Sequence, residues 1–561
     1  MNRSRPKAMA ALILACIMIV VTACAGGENG GGNSKAGMES PTGETGTTGQ
    51  PDTGKQEGDP FAKYDPPVEV TAARDLSGVR FREGESIENN VWSKAYEEEL
   101  GIKIKYAWTT QGDYDQKLNV SIASGDLPDI FPVNGTQLKQ LVDSGQLEDL
   151  TDLFETYATE LTKKIVKEDP NQLKSASFKG RLMAIPKVGS ATDFSQVLWM
   201  RKDWLDRLQL PEPKSMDDVA TIAEAFVTQD PDGNGKADTY GLAIGAGMNG
   251  TYTSLRGFFN GYHSYPNSWF KDESGKFVYG GVQPETRNAL AKLSEMYKAG
   301  LIDKEFAIKG DDKLVEQMAN DKVGINYGPW WIPGGPLQAN KDQNPNSSWK
   351  AYGIPSADDK PAKIQLDFPV ANYVVVKKGA KHPEAAIKML NLMVKLAYEK
   401  AEIEKYFVPS DGYPLNSYPL LFASQVNGNM NIHVHIMQAL ETNDPSALNA
   451  EEKMYYDRII AYRNGDNKMW FQEGTYGNVS AWPGVKEKVD QGLLQTPDFF
   501  GAVTNTMSQK GGVLTKLELE TFTKIIMNEA PIEEFDRFVE NWHKLGGDEI
   551  AKEIEEWAGN L

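Results

Sequence analysis

Val91-Trp92-Ser93-Lys94-Ala95-Tyr96-Glu97-Glu98-Glu99-Leu100-Gly101-Ile102-Lys103-Ile104-Lys105-Tyr106-Ala107-Trp108 is the stretch on which the fold turns. In its first half Trp92, Tyr96 and Leu100 recur at the spacing that lines one face of a helix, and Gly101 is a stop. In its second half Ile102, Ile104, Tyr106 and Trp108 alternate with period two, as a strand does. Upstream, Val68 and Val70 alternate in the same way, so the folded part opens as strand, helix, strand.

The pattern continues outward. A helix is expected from about Tyr114 to Ala123, then Gly125-Asp126-Leu127-Pro128-Asp129-Ile130-Phe131, then a helix with Leu138, Leu141 and Val142 ending at Gly145. Alternating strands and helices predict an α/β fold with a largely parallel sheet. Further on, Gly180–Pro186 leads into Val197–Leu205. Val219, Ile222, Ala223 and Phe226 share a helix face, and Leu290, Leu293 and Tyr297 share another. Val323–Tyr327 reads as a strand running into Gly328-Pro329-Trp330-Trp331, and Tyr373–Val376 as a strand before a helix opened by Pro383. The C-terminal part reads as mostly helical, with Phe535 and Trp542, then Ile550, Ile554 and Trp557, facing inward.

At the N-terminus Arg3, Arg5 and Lys7 precede an uncharged run from Ala8 to Ala23. A membrane crossing needs about 20 apolar residues, so the run reads as a cleavable export signal over 1–23. Val21-Thr22-Ala23-Cys24 resembles the lipobox of bacterial lipoproteins, with Val21 where Leu is commoner. The resemblance implies that Cys24 is lipidated and tied to the outer side of the cell membrane; an ordinary secretory signal is the alternative. Cys16 lies inside the signal, which leaves Cys24 as the one mature cysteine and excludes a disulfide framework, a zinc ribbon or a cysteine nucleophile. Residues 24–65, rich in Gly, Thr, Ser, Glu and Pro, bury too little to offset their ordering entropy and read as a flexible tether.

A formal charge of −19 argues against nucleic acid and anionic lipid surfaces as partners. The 12 Trp and 22 Tyr point mildly to carbohydrate or another flat ligand.

Two clusters carry chemistry. Asp230, Asp232, Asn234 and Asp238, with Gly235 at the sixth position and the backbone carbonyl of Lys236 at the seventh, match the front of an EF-hand-type loop. They predict a structural Ca2+ site; an empty surface loop is the alternative. Gly241 stands at the twelfth position, where a bidentate Glu would sit. Trp330 and Trp331 follow a Gly-Pro turn in which two indoles can hardly both face a core, so one is expected as a stacking platform. His433 and His435 alternate as on a strand face, without nearby Cys. No His-Glu-x-x-His, Gly-x-Ser-x-Gly or phosphate-binding loop is present, and no catalytic residue is nominated. A carboxylate pair of the glycosidase kind has no sequence spacing, so an enzyme stays open as an alternative.

Ser124-Gly125-Asp126-Leu127-Pro128-Asp129-Ile130, the Gly180–Pro186 crossover with Trp199–Leu205, Gly328-Pro329-Trp330, and Tyr373–Val376 followed by His382-Pro383-Glu384-Ala385-Ala386 stand in a recognisable order. Together they resemble the extracellular solute-binding proteins of carbohydrate ABC importers, in the LipO-like lipoprotein branch. That resemblance implies a two-lobed periplasmic-binding-protein-like fold of type II that closes on ligand by hinge bending. It places lobe one at 66–186 plus 367–425 and lobe two at 187–366 plus 426–561. It also implies ligand contacts from Trp330, Trp199, Arg201, Asp126 and Asp129, with Trp331 beside them. The implied function is capture of an oligosaccharide by a monomer and its delivery to a membrane permease. An anchored glycan-degrading enzyme, or a binder of peptide or another small nutrient, is the alternative.

Overall fold

Helix Val91–Leu100 and strand Ile102–Thr110 form as their periodicity predicts. The side-chain oxygen of Asn90 accepts from the N–H groups of Trp92 and Ser93, and Ser93 Oγ accepts from the Asn90 N–H at 2.8 Å, so the helix start is capped reciprocally. Gly101 ends the helix at φ 65°, and a Cβ there would lie 2.3 Å from the Tyr64 carbonyl oxygen. Both the left-handed turn and the close approach require glycine. The computed structural model describes residues 58–399, 402–407, 409 and 413–559; the export signal, Cys24 and the chain up to residue 57 lie outside them. Within the expected tether, Phe61 and Tyr64 pack against the first core, so its last residues belong to the folded part.

Nine strands build the two main sheets. In chain order they are β1 Val68–Asp75, β2 Ile102–Thr110, β3 Ile130–Val133, β4 Ile185–Val188, β5 Gln196–Arg201, β6 Tyr240–Leu242, β7 Val323–Pro329, β8 Trp349–Tyr352 and β9 Val370–Val376. The first sheet has the order β2-β1-β3-β9-β4. β1 runs parallel to β2, with Val68 opposite Ile102, and parallel to β3, whereas β9 is antiparallel to both its neighbours. Trp92, Leu100, Leu118 and Leu138 cover the sheet together with helix Ala385–Val394, which is buried along its whole length.

The second sheet has the order β8-β5-β7-β6 and departs from the expected parallel arrangement. β5 is antiparallel to both β7 and β8, and β6 alone is parallel to its neighbour. β5 is buried on both faces: Leu198 and Met200 enter one core with Phe226, Phe522 and Trp542, while Val197 and Trp199 enter another with Trp349 and Trp482. A second correction concerns His433 and His435, which lie on helix Gly428–Thr442. The buried positions Met430, His433, Ile436 and Ala439 show the helical spacing that the His alternation hides. Among the described residues no helix is long and apolar enough to cross a membrane.

The first core draws on residues from Val70 to Val188 and from Tyr373 to Ala423; the other two draw on the chain between and after. The chain therefore passes between them three times, after Val188, before Val370 and after Ala423. These passages bond to one another. The Gly189 N–H donates to Pro369 O at 2.8 Å and the Ser424 N–H to Val188 O at 3.2 Å. The Ser190 hydroxyl donates to Val426 O at 2.8 Å.

Candidate ligand-binding site

Every residue of β7 is buried, so the aromatic pair at its end is delivered to the rim of the second sheet. Trp330 and Trp331 are both half-buried. The Trp330 ring packs on Trp482 at 5.0 Å and on Tyr476 at 5.8 Å, and its Nε1 is buried without a hydrogen-bond partner among the described residues. Trp331 meets Tyr252 edge-on at 5.6 Å. The polar neighbours come from the crossing passages. The Tyr476 hydroxyl donates to Asn429 Oδ1 at 2.5 Å, and Asn429 Nδ2 donates to Asp193 Oδ2 at 2.8 Å. Burial pushes the Asp193 carboxyl up to about 6. Phe194 beside it is 38% exposed, and Gln196 Oε1 is buried without a partner among the described residues. Flat rings next to unpaired polar atoms form a surface suited to the faces and hydroxyls of a sugar.

On the first sheet, a cavity of about 240 Å³ opens where β1, β3 and β4 end and β9 begins. Arg74, Asp75, Asn134, Lys187 and Asn372 line it. Open α/β sheets bind ligands at the carboxyl ends of their strands, and β4 and β9 lie next to the crossing passages. Asn372 Oδ1 is buried and has no hydrogen-bond partner among the described residues. Asp75 accepts from Thr110 Oγ1 at 2.7 Å and from the Gly112 N–H at 2.8 Å. These residues lie far apart in sequence, and no local pattern announces them.

Four of the residues expected at the site fall elsewhere. Trp199 is fully buried and its Nε1 donates to Pro329 O at 3.2 Å. Arg201 is 1% exposed, forked on Asp203 at 2.8 and 2.7 Å and bonded to Asp321 at 2.5 Å, with its guanidinium 4.4 Å from the Trp204 ring. Both are enclosed, because β5 is covered on both sides. Asp129 precedes β3, at the strand end opposite the cavity, where it accepts from the Thr71 N–H at 2.9 Å and the Thr71 hydroxyl at 2.7 Å. Burial alone would raise its carboxyl, but these bonds and Lys377 outweigh it and hold the pKa below the usual range. Asp126 is exposed in the loop at that same end. Of the expected set, Trp330 and Trp331 stand side by side, and the structure adds Tyr476, Asn429 and Asp193 next to Trp330; Lys187 and Asn372 line the separate first-sheet cavity.

The profile of the bacterial extracellular solute-binding proteins matches residues 81–399. The chain belongs to that family. This solute-binding protein is 24% identical to lipoprotein LipO of Bacillus subtilis over 478 residues, covering 82% of the chain and 87% of LipO. It is 27% identical over 241 residues to the polygalacturonan/rhamnogalacturonan-binding protein YtcQ of Bacillus subtilis, covering 42% of the chain and 46% of YtcQ. The fructooligosaccharide ABC transporter substrate-binding protein FusA of Streptococcus pneumoniae is 28% identical over 244 residues, covering 41% of the chain and 45% of FusA. Among solved structures, FusA in complex with kestose matches with a TM-score of 0.58 at 16% identity, over 88% of this chain and 100% of that one. Its EF-hand mutant in complex with fructo-nystose matches with a TM-score of 0.55 at 17% identity, over 88% and 100%. The shared fold is the two-lobed, type II binding-protein fold.

In this binding protein the loop read as a calcium site follows helix Met216–Thr228 and leads into β6, so it is helix, loop, strand. The Gly235 N–H donates to Asp230 Oδ2 at 3.0 Å, and Asn234 Nδ2 donates to Asp232 Oδ2 at 2.6 Å. Burial, then the nearness of Asp230 and Asp238, holds the Asp232 carboxyl above its ordinary value. Asp238 accepts from Lys322 Nζ at 2.5 Å through Oδ2 and from Asn234 Nδ2 at 3.1 Å through Oδ1. Thr239 donates its hydroxyl to Phe226 O at 2.7 Å and faces inward. Asp230, Asp232, Asn234, Asp238 and the Lys236 carbonyl thus offer hard oxygens, while Gly241 at the twelfth position offers no side-chain oxygen. Among the described residues no group of three or more His, Cys, Asp and Glu is arranged as a metal-ligand set.

Proposed function

We propose that this protein is the receptor of an ABC importer and holds an oligosaccharide between two lobes, 66–186 plus 367–425 and 187–366 plus 426–561. The observation that carries the reading is the Trp330–Trp331 pair, half-buried beside unpaired polar atoms at the crossing passages. Stacking supplies affinity for sugar faces, and Asp193, Asn429 and Asn372 meet hydroxyls. A sugar that leaves one of these groups unmatched loses roughly 1–3 kcal/mol for each buried group. Relatives whose names state a glycan ligand, FusA and YtcQ, support the same class. Closure pivots on the hydrogen-bonded passages. Titrating intrinsic fluorescence with oligosaccharides should give saturable change without turnover; steady release of shorter sugars would replace this reading with a glycan-degrading enzyme.

Cys24 carries the lipid that keeps the receptor near its permease, and two acyl chains suffice for stable anchoring. Cys24→Ser should move the protein from the membrane fraction to the medium. Ca2+ occupies the 230–238 loop in a structural role, held by Asp230, Asp232, Asn234, Asp238 and the Lys236 carbonyl with water completing its shell. The EF-hand of FusA supports this.

A further inference from the structure

A cavity of about 380 Å³ shares no lining residue with the Trp330 surface or with the first-sheet cavity. Its walls are the hairpin of Trp269–Lys271 and Phe277–Tyr279, the helix Asn505–Ile526, and Leu366 to Phe368 on the passage before Val370. Trp269, Tyr279, Leu514 and Trp542 belong to the core on the Leu198 and Met200 face of β5, whereas Trp330 packs with the core on the other face. Rings make much of the lining. Tyr279 and Trp542 lie 4.8 Å apart with their planes 10° from parallel, and Trp269 stands 5.5 Å from Tyr279. The Tyr279 hydroxyl donates to buried Glu518 at 2.9 Å, which fixes that ring as a wall. Phe368 is held by stacking on Phe500 at 5.3 Å.

Packing alone does not account for two features of this cavity. Ser268 lines it at 4% exposure, and its hydroxyl is buried with no hydrogen-bond partner among the described residues, an unfavourable state unless something pairs with it. Gly511 lines it from inside a helix, where glycine is less favourable than any residue but proline. No atom lies within 4 Å of a Cβ built at Gly511, so no close approach demands glycine, and a larger side chain would take up the open space. The charge on the lining is also settled: Asp367 is its one charged residue, and Arg256 donates to it at 2.8 Å. A charged ligand would find no free counter-charge, whereas a neutral one loses nothing. Aromatic faces suit the C–H face of a sugar ring, and the Ser268 and Thr515 hydroxyls suit its hydroxyls. The volume is at the small end for ligand sites, so it takes one or two rings rather than a chain. We infer that this cavity is a second binding site, separate from the Trp330 surface, for a neutral mono- or disaccharide. The inference does not depend on the proposed function.

The test is calorimetry on the full mature chain with glucose, galactose, mannose, fructose, xylose, sucrose and maltose, each titrated singly. At least one should bind saturably at this cavity, and equally in Trp331→Ala. Gly511→Leu fills the cavity and should weaken that binding about 10-fold or more. Its melting temperature should equal or exceed the parent's, because leucine favours the helix and meets no clash. Ser268→Ala should weaken the same binding about 3–10-fold, the range for one neutral hydrogen bond. Absence of binding by every one of these sugars would overturn the inference. So would binding that persists unchanged in Gly511→Leu, or binding lost in Trp331→Ala, which would assign the sugar to the Trp330 surface.

Discussion

The backbone N–H of Gly189 donates to the carbonyl of Pro369 at 2.8 Å, so two passages that run between the lobes in opposite directions are joined edge to edge. With Ser424 bonded to Val188, all three passages behave as one narrow ribbon, and the proposed closure must bend it. Gly189→Pro deletes the donor and should lose about 1 kcal/mol in denaturant unfolding, with altered closing kinetics in stopped-flow fluorescence. Gly189→Ala should stay close to the parent, because a Cβ there meets nothing nearer than Pro369 O at 3.6 Å. Equal effects of the two substitutions would show that the bond contributes nothing.

Trp199 and Arg201 provide a stability test distinct from a binding test. Arg201→Met strands Asp203 and Asp321 without their cation and should cost about 3–5 kcal/mol; Trp199→Ala should cost a similar amount through the cavity it leaves. Neither should change affinity per folded molecule. Trp331→Ala should do the reverse, weakening glycan binding about 10-fold or more at a cost of about 1–2 kcal/mol in stability. Parallel denaturation and calorimetry decide it; an affinity loss in folded Arg201→Met would return that residue to the cleft.

Legibility in the sequence followed the range of each interaction. The first strand-helix-strand unit was readable because its signals are local: the Trp92–Leu100 spacing, the Ile102–Trp108 alternation and Gly101 at the turn. The antiparallel second sheet was not, because β5 and β7 are buried on both faces and their apolar runs look like those of parallel strands. Trp330 and Trp331 stood out as an indole pair after Gly-Pro. Asp193 and Asn429 are single polar residues on separate passages that only the topology makes neighbours, and Lys187 and Asn372 share a cavity only because β4 pairs with β9. The same topology displaced Asp126 and Asp129, since a sequence does not reveal which end of β3 faces the crossing.

Asp193 gives the chain a pH dependence of known sign. Its folded pKa of about 6 lies above the ordinary aspartate value of 3.8. Between those values the folded state binds more protons than the unfolded state, so stability falls as pH rises through this window. Asp193→Asn removes the charge that burial penalises. It should be more stable than the parent at pH 7, by about 3 kcal/mol at most, with the advantage shrinking toward pH 4. Thermal melts across pH 4–7 test it, and a constant difference would show that Asp193 does not titrate in that window.

The 230–238 loop separates two ideas of what a calcium site needs here. If Ca2+ binds through Asp230 and Asp232, a chelator should lower the melting temperature, Asp230→Ala should lower it similarly, and the two should not add. Supplying the missing twelfth-position carboxylate should not help. A Cβ at Gly241 would lie 2.6 Å from Ala223 Cβ and 2.9 Å from Ala223 O, against helix Met216–Thr228. Gly241→Glu should therefore destabilise the protein by about 1–3 kcal/mol, with or without calcium, and Gly241→Ala should share much of that loss. A Gly241→Glu variant that bound calcium more tightly and melted higher would mean that β6 can move away from the helix, and the loop would then be an incomplete EF-hand rather than one closed off by packing.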